Sequence, residues 1–153
     1  SPGLFFRTAA PAIGGHVADR PPEWGQGAAG FGRRVADRYA RVVLKESFEA
    51  AGAAALGHDV RYLPSGREGT WRRVGHALAA TVVTRDRLGR PAPHVARVGA
   101  AFASEFTGNS WMPAGYHSRA ESVRGVAIGL GFTSLSNLAR EFAPEIRRLL
   151  PGK

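Results

Sequence analysis

The sequence predicts an all-α fold, with four to five helices in a single small bundle and an apolar N-terminal arm rich in glycine and proline. Apolar residues recur at helical spacing in several long segments, and no segment shows the apolar–polar alternation of a half-buried strand. The chain has 153 residues, 44% hydrophobic and 22% charged, which is enough for one domain with a core. We place the arm at residues 1–30 and the helical domain at residues 31–153.

The arm contains Leu4, Phe5 and Phe6, an apolar group that needs a surface to bury against and is a candidate membrane arm. At most one short helix fits before Pro21 and Pro22, because proline breaks a helix interior.

The first long helix is predicted over residues 31–56, because apolar and basic residues there separate onto different faces at helical spacing. The apolar face consists of Phe31, Val35, Tyr39, Val42 and Val43. The basic face consists of Arg34, Arg38, Arg41 and Lys45. Small residues around Gly52 would allow another helix to approach closely.

Three further helices follow. One is predicted from an N-cap at Thr70 to about Thr84, and one over residues 94–106, with a turn at residues 86–91 between them. The last long helix begins near Ser118, where Glu121 completes a capping-box pattern, and ends before a short amphipathic tail. The apolar stripes of the three helices are Trp71, Val74, Leu78 and Val82; Val95, Val98, Phe102 and Phe106; and Val123, Val126, Leu130, Leu135, Leu138 and Phe142.

The formal net charge is +9, from 19 arginines and two lysines against 12 acidic residues. Such a surplus favours acidic partners, namely nucleic acid, anionic lipid or acidic glycan. The alternative is that the arginines are spread over solvated faces. Because the chain has no cysteine, disulfides, thiolate chemistry and cysteine zinc sites are excluded.

The sequence predicts no ordinary transmembrane helix. Its longest uncharged run, residues 125–139, falls short of the roughly 20 residues that span a bilayer. No charged region or start methionine precedes the apolar residues at the N-terminus, so we expect a processed or truncated chain.

No cofactor, metal or catalytic residue is predicted. Gly25, Gly27 and Gly30 match a dinucleotide-binding pattern, but no hydrophobic strand precedes them, so we interpret them as a flexible entry into a helix. The five histidines show no metal-ligand spacing, and there is no nucleophile elbow. Ion pairing with nearby arginines is the default expectation for the helical glutamates Glu105, Glu121, Glu141 and Glu145.

The candidate structural or ligand loop consists of His58, Asp59, Arg61 and Tyr62. We prefer a structural role, in which Asp59 and Arg61 cap helix ends or form a partly buried ion pair and Tyr62 is packed with its hydroxyl bonded. A ligand pocket or an acid–base pair is the alternative. Gly125 and Gly129 form a candidate helix-contact face, because their four-residue spacing puts both on one side of the last long helix.

Four short motifs occur in order along residues 24–148: Trp24-Gly25-Gln26-Gly27, Asp59-Val60-Arg61-Tyr62, Thr84-Arg85-Asp86, and Glu141-Phe142-Ala143-Pro144-Glu145-Ile146-Arg147-Arg148. This order resembles a group of small exported bacterial proteins of unknown function. Their loop and tail are roughly Asp-Pro-Arg-Tyr-Phe and Glu-Phe-Trp-Pro-Asp-Ile-Arg-Arg, so the chain departs at Val60 and Ala143. The resemblance implies export and an envelope or periplasmic location, and it implies no reaction.

We therefore expect a non-enzymatic envelope or membrane-peripheral protein with a structural or interaction role, with membership of a larger assembly as one form of it. Its partner would be an anionic membrane surface or another protein chain. The first alternative is a basic helical nucleic-acid-binding protein, which lacks a recognition-helix motif and an aromatic platform here. The second is an enzyme with a site around Asp59, Arg61 and Tyr62.

Overall fold

The computed structural model describes the backbone of residues 2–149 and the side chains of residues 8–148. Within that range the chain folds into helices and one small hairpin, so the all-α prediction is confirmed. The elements are α1 (Pro2–Val17), α2 (Ala28–Leu56), α3 (Thr70–Ala79), β1 (Val83–Arg85), β2 (Pro91–Pro93), α4 (Val95–Asn109), α5 (Arg119–Glu141) and α6 (Ala143–Leu149).

Helices α2 and α4 form the centre of the bundle. Helix α1 packs along α2, α5 packs against both α4 and α3, and α6 follows α5. The segment predicted as an arm thus contains a 16-residue helix, longer than the short one expected there. The side chains of Leu4, Phe5 and Phe6, the candidate membrane arm, lie outside the described residues.

Local signals fixed several helix ends as predicted. Helix α2 ends at Leu56, the predicted end, and Gly57 caps it in a left-handed conformation with φ of 68°. Ser118 caps α5, and its side chain accepts a hydrogen bond from the Glu121 N–H. The prediction of Thr70 as an N-cap is wrong: the cap position is Gly69, and Thr70 is the first helical residue.

The second predicted helix is also too long, because α3 ends at Ala79. Strand β1 follows and pairs antiparallel with β2, with Thr84 opposite Ala92. The predicted turn joins the two strands, where Asp86 Oδ1 accepts hydrogen bonds from the Leu88 and Arg90 N–H groups at 2.8 and 2.9 Å. The sequence does not predict the hairpin, because β2 has a proline at both ends and proline lacks the N–H group that a strand donates.

Helix α4 presents its large apolar side chains outward. Val95 and Phe106 are 57% and 55% exposed, and Phe102 is 37% exposed. The opposite face is buried and consists mainly of small residues: Ala96, Ala100, Ala101, Ser104 and Gly108, with Arg97. Gly52 of α2 lies against Ala96, so small residues set the close approach of α2 and α4.

Helix α2 likewise has apolar side chains on its outer face. Its buried residues are Gly30, Arg34, Asp37, Arg41, Lys45, Glu49 and Ala53, whereas Tyr39 and Val43 of the apolar face are exposed. An apolar face normally packs inward. Here charged residues of α2 do so instead, because the interior supplies ion-pair and hydrogen-bond partners for them.

Within the described residues, none of the helices combines the length and the apolar character needed to cross a membrane.

Candidate functional site

Arg41 is the centre of a charged cluster between α2 and α4. Its guanidinium donates to Asp37 Oδ1 at 2.8 Å and to Glu105 Oε2 at 2.6 Å. A third bond reaches Asn109 Oδ1 at 3.2 Å, and Asn109 in turn donates to the Ser122 hydroxyl of α5. Burial raises the pKa of Glu105 despite the adjacent arginine. The cluster fixes three helices relative to one another.

Arg34 organises the connection between α1 and α2. It is 3% exposed, and its guanidinium donates to the carbonyl oxygens of Arg20, Pro21 and Gly25 at 3.0, 2.9 and 2.7 Å. Buried carbonyl groups need such donors. Arg34 therefore supplies donors to three carbonyl groups of this irregular segment.

A second buried cluster joins α2 to the start of α4. Glu49 accepts from Lys45 at 2.9 Å and from Arg97 Nε at 2.7 Å. Burial acts to raise the pKa of Glu49, but the two cations outweigh it and hold the pKa below its ordinary value. Arg97 also donates to the Ala80 and Val60 carbonyl oxygens, so it ties the loop before α3 and the end of α3 to this cluster.

His94 caps α4 and is 2% exposed. Its Nδ1 accepts the Arg97 N–H, so the neutral ring has its proton on Nε2. That Nε2 has no hydrogen-bond partner among the described residues; the nearest carboxylate oxygen, of Glu49, is 3.6 Å away. Burial and the neighbouring Arg97 lower the pKa of His94 to about 4.

Tyr62 and Glu141 join two of the sequence motifs. The Tyr62 hydroxyl donates to Glu141 Oε2 at 2.5 Å, and the Ser65 N–H and hydroxyl donate to the same carboxylate. Burial acts to raise the Glu141 pKa, but these bonds and Arg73 lower it to about 2. Burial and the Glu141 carboxylate raise the pKa of Tyr62. Arg73 also pairs with Glu145 and lies over the Phe142 ring, 4.3 Å from its centroid.

The loop residues singled out in the sequence have different environments. Asp59 and Arg61 form the ion pair that was one of the two structural roles we expected, at 3.3 Å. The Asp59 side chain is 32% exposed and the Arg61 side chain 79% exposed, so the carboxylate is partly buried and the guanidinium faces solvent. Tyr62 is half-buried with its hydroxyl bonded, in the arrangement we preferred. His58 is also half-buried, and its ring lies edge-on to His94 with 6.2 Å between centroids.

The two candidate helix-contact glycines differ from each other. A Cβ on Gly125 would collide with the Glu105 side chain, so this glycine lies at a close contact between α5 and α4. A Cβ on Gly129 would have no described atom within 4 Å.

A cavity of about 260 Å³ lies between the loop before α3, α3 itself, the hairpin and the start of α4. Three of the loop residues named above line it: Asp59, Arg61 and Tyr62. The rest of the wall consists of Leu63, Arg67, His76, Ala79, Ala80, Val83, Thr84, Arg85, Pro91, His94 and Arg97.

Comparison of the chain with protein-family models, curated proteins and solved structures finds no match. Within the described residues, no three histidine or acidic side chains are grouped as metal ligands would be.

Sequence reasoning missed Glu49, Arg73 and Arg97 as organising residues. No local pattern identifies them, since Arg97 and Glu49 are 48 positions apart and Arg73 and Glu141 are 68 apart. The predicted ion pairing of Glu105, Glu141 and Glu145 is confirmed.

Proposed function

We propose that this chain is a non-enzymatic interaction protein of the cell envelope that binds an anionic membrane surface peripherally. The observation that supports this most is the outward apolar stripe of α4, formed by Val95, Phe102 and Phe106, opposite a buried face of small residues. A peripheral protein binds a bilayer by burying an exposed apolar helix face at the boundary between the headgroups and the acyl chains. The outward stripe of α4 provides such a face.

The charge distribution favours an anionic surface. Four acidic side chains form ion pairs inside the bundle: Asp37, Glu49, Glu105 and Glu141. Exposed arginines with no ion-pair partner among the described residues are spread over the outside, among them Arg33, Arg72, Arg87 and Arg119. The outer surface therefore retains the positive surplus, and each basic residue near an acidic bilayer contributes about 1 kcal/mol of binding.

Cosedimentation with vesicles tests the proposal. We expect binding to vesicles of phosphatidylcholine with phosphatidylglycerol, weaker binding to phosphatidylcholine alone, and weakening with salt. The Phe102→Gln/Phe106→Gln variant should retain the fold and bind at least about tenfold more weakly, because burying such side chains contributes about 1.5–3 kcal/mol each. Leu88→Gln, an exposed leucine on the hairpin turn, is the control and should bind like the parent.

Equal and negligible binding of the parent to both kinds of vesicle would refute the membrane proposal. If sedimentation equilibrium then showed a stable oligomer that the double variant abolishes, the apolar stripe would contact a partner chain instead.

A further inference from the structure

The cavity beside the loop before α3 has a strongly cationic wall. Arg61, Arg67, Arg85 and Arg97 line it, and Asp59 is the one acidic residue among its described lining residues. Two other cavities, of about 280 and 240 Å³, differ in this respect because each has at least two carboxylates among its described lining residues. A cavity with this imbalance attracts anions.

Two of the four arginines have no acidic partner among the described residues. Asp59 is committed to Arg61, and Glu49 behind the wall is committed to Arg97. Arg85 donates to the Gly89 carbonyl oxygen, and neither Arg67 nor Arg85 forms an ion pair with any described residue. Their guanidinium groups thus retain donors for a carboxylate or phosphate, which arginine binds in a bidentate manner.

His94 provides an independent observation. It lines the same cavity, is almost fully buried, and its Nε2–H has no described partner. Its Nε2 lies 3.6 Å from Glu49 Oε1, behind the wall. His94 thus places a buried polar ring in the cavity wall, where it can report on a bound anion.

From this geometry we propose that the cavity binds the carboxylate or phosphate group of a small anionic ligand. Arg67 and Arg85 bind the anionic group, while the aliphatic atoms of Leu63, Val83 and Pro91 contact the rest of the ligand. A volume of about 260 Å³ accommodates a compact acid or a phosphate ester. The site does not depend on the membrane contact of α4, and each is tested separately.

Calorimetric titration with citrate, inorganic phosphate and glycerol phosphate at low ionic strength tests the proposal. We expect saturable binding of at least one of these anions with one site per chain. Arg67→Gln/Arg85→Gln should weaken it by about tenfold or more, since it removes the charge-assisted hydrogen bonds that hold the anionic group. The control is Arg33→Gln/Arg119→Gln, which removes the same charge from exposed positions outside the cavity and should bind like the parent.

A second measurement locates the site. The His94 Nε2–H resonance should shift on titration with the anion that binds. If the site receives a lipid headgroup, the arginine double variant should also weaken binding to phosphatidylglycerol vesicles; if it receives a free anion, vesicle binding should be unchanged. The proposal is overturned if none of the three anions binds the parent saturably, or if the control double variant weakens binding as much as Arg67→Gln/Arg85→Gln.

Discussion

Glu141 joins segments that are far apart in the sequence. Its carboxylate accepts bonds from Tyr62 and Ser65 in the loop before α3 and from Arg73 in α3, and it is 3% exposed. The bonds lower its pKa from the ordinary 4.5 to about 2. At the scale of single residues, the motifs of the loop and the tail are structural partners in this fold.

Glu141→Gln should therefore destabilise the fold by about 1–3 kcal/mol, because the amide satisfies the surrounding donors less well than a carboxylate. The lowered pKa predicts the pH dependence: the carboxylate contributes fully above pH 4.5, and its contribution is lost as pH falls from 4.5 towards 2. Urea denaturation across this range measures both effects. Glu68→Gln, on an exposed loop residue, is the control, and equal stabilities of the two variants would contradict the account.

His94 predicts a second pH dependence at a different range. A histidine in the unfolded chain has a pKa near 6.5, whereas burial and Arg97 lower the pKa of His94 to about 4 in the folded chain. Neutral His94 should thus contribute its full stabilisation above pH 6.5. The free energy of unfolding should fall by about 1–3 kcal/mol as pH decreases towards 4, since one pKa unit corresponds to about 1.4 kcal/mol.

The His94→Asn variant retains an N-cap acceptor and has no titrating ring, so its stability should change less with pH over this range. His117→Asn, at an exposed histidine, should retain the parental profile. Thermal unfolding at closely spaced pH values decides the matter, and parallel profiles for all three proteins would show that His94 is not the titrating group.

At the scale of elements, helix positions were predictable and their orientation was not. Residue spacing and glycine or proline signals located α2, α4 and α5 to within a few residues. The same periodicity describes an inward and an outward apolar face equally well. Only tertiary partners decide between them, such as Glu105, which lies 64 positions from Arg41. The cavity could not be predicted either, because its wall combines a loop, α3 and a hairpin. The sequence does not predict that hairpin, since Pro91 and Pro93 are untypical of a strand.

The two glycines of α5 give a matched test of packing. Gly125→Ala places a methyl group against the Glu105 carboxylate, which Arg41 holds in place, so we expect a loss of about 1–3 kcal/mol. Gly129→Ala meets no described atom within 4 Å, so the higher helix propensity of alanine should stabilise the fold by about 0.5–1 kcal/mol. Chemical denaturation of both variants measures the difference, and destabilisation by Gly129→Ala would place an unrecognised contact on that face.

At the scale of the whole molecule, a set of charged residues lies inside while many large apolar residues are exposed. Arg34, Arg41 and Glu49 are buried, whereas Phe106 of α4 and Leu135 of α5 are 55% and 61% exposed. A water-soluble monomer rarely exposes contiguous apolar patches of more than a few hundred Å², so such surfaces mark contact sites. This inversion is the central basis for proposing that the protein works by contact with an anionic membrane.

Nitroxide labelling tests that claim most directly, because the chain has no native cysteine to compete with an introduced one. Phe106→Cys places a label on the outward face of α4, and Glu68→Cys places one on an exposed polar loop. On vesicles that contain phosphatidylglycerol, we predict that the label at position 106 becomes protected from a water-soluble paramagnetic reagent and accessible to oxygen, while the label at position 68 remains in water. Retention of full water accessibility at position 106 in vesicle-bound protein would contradict the account.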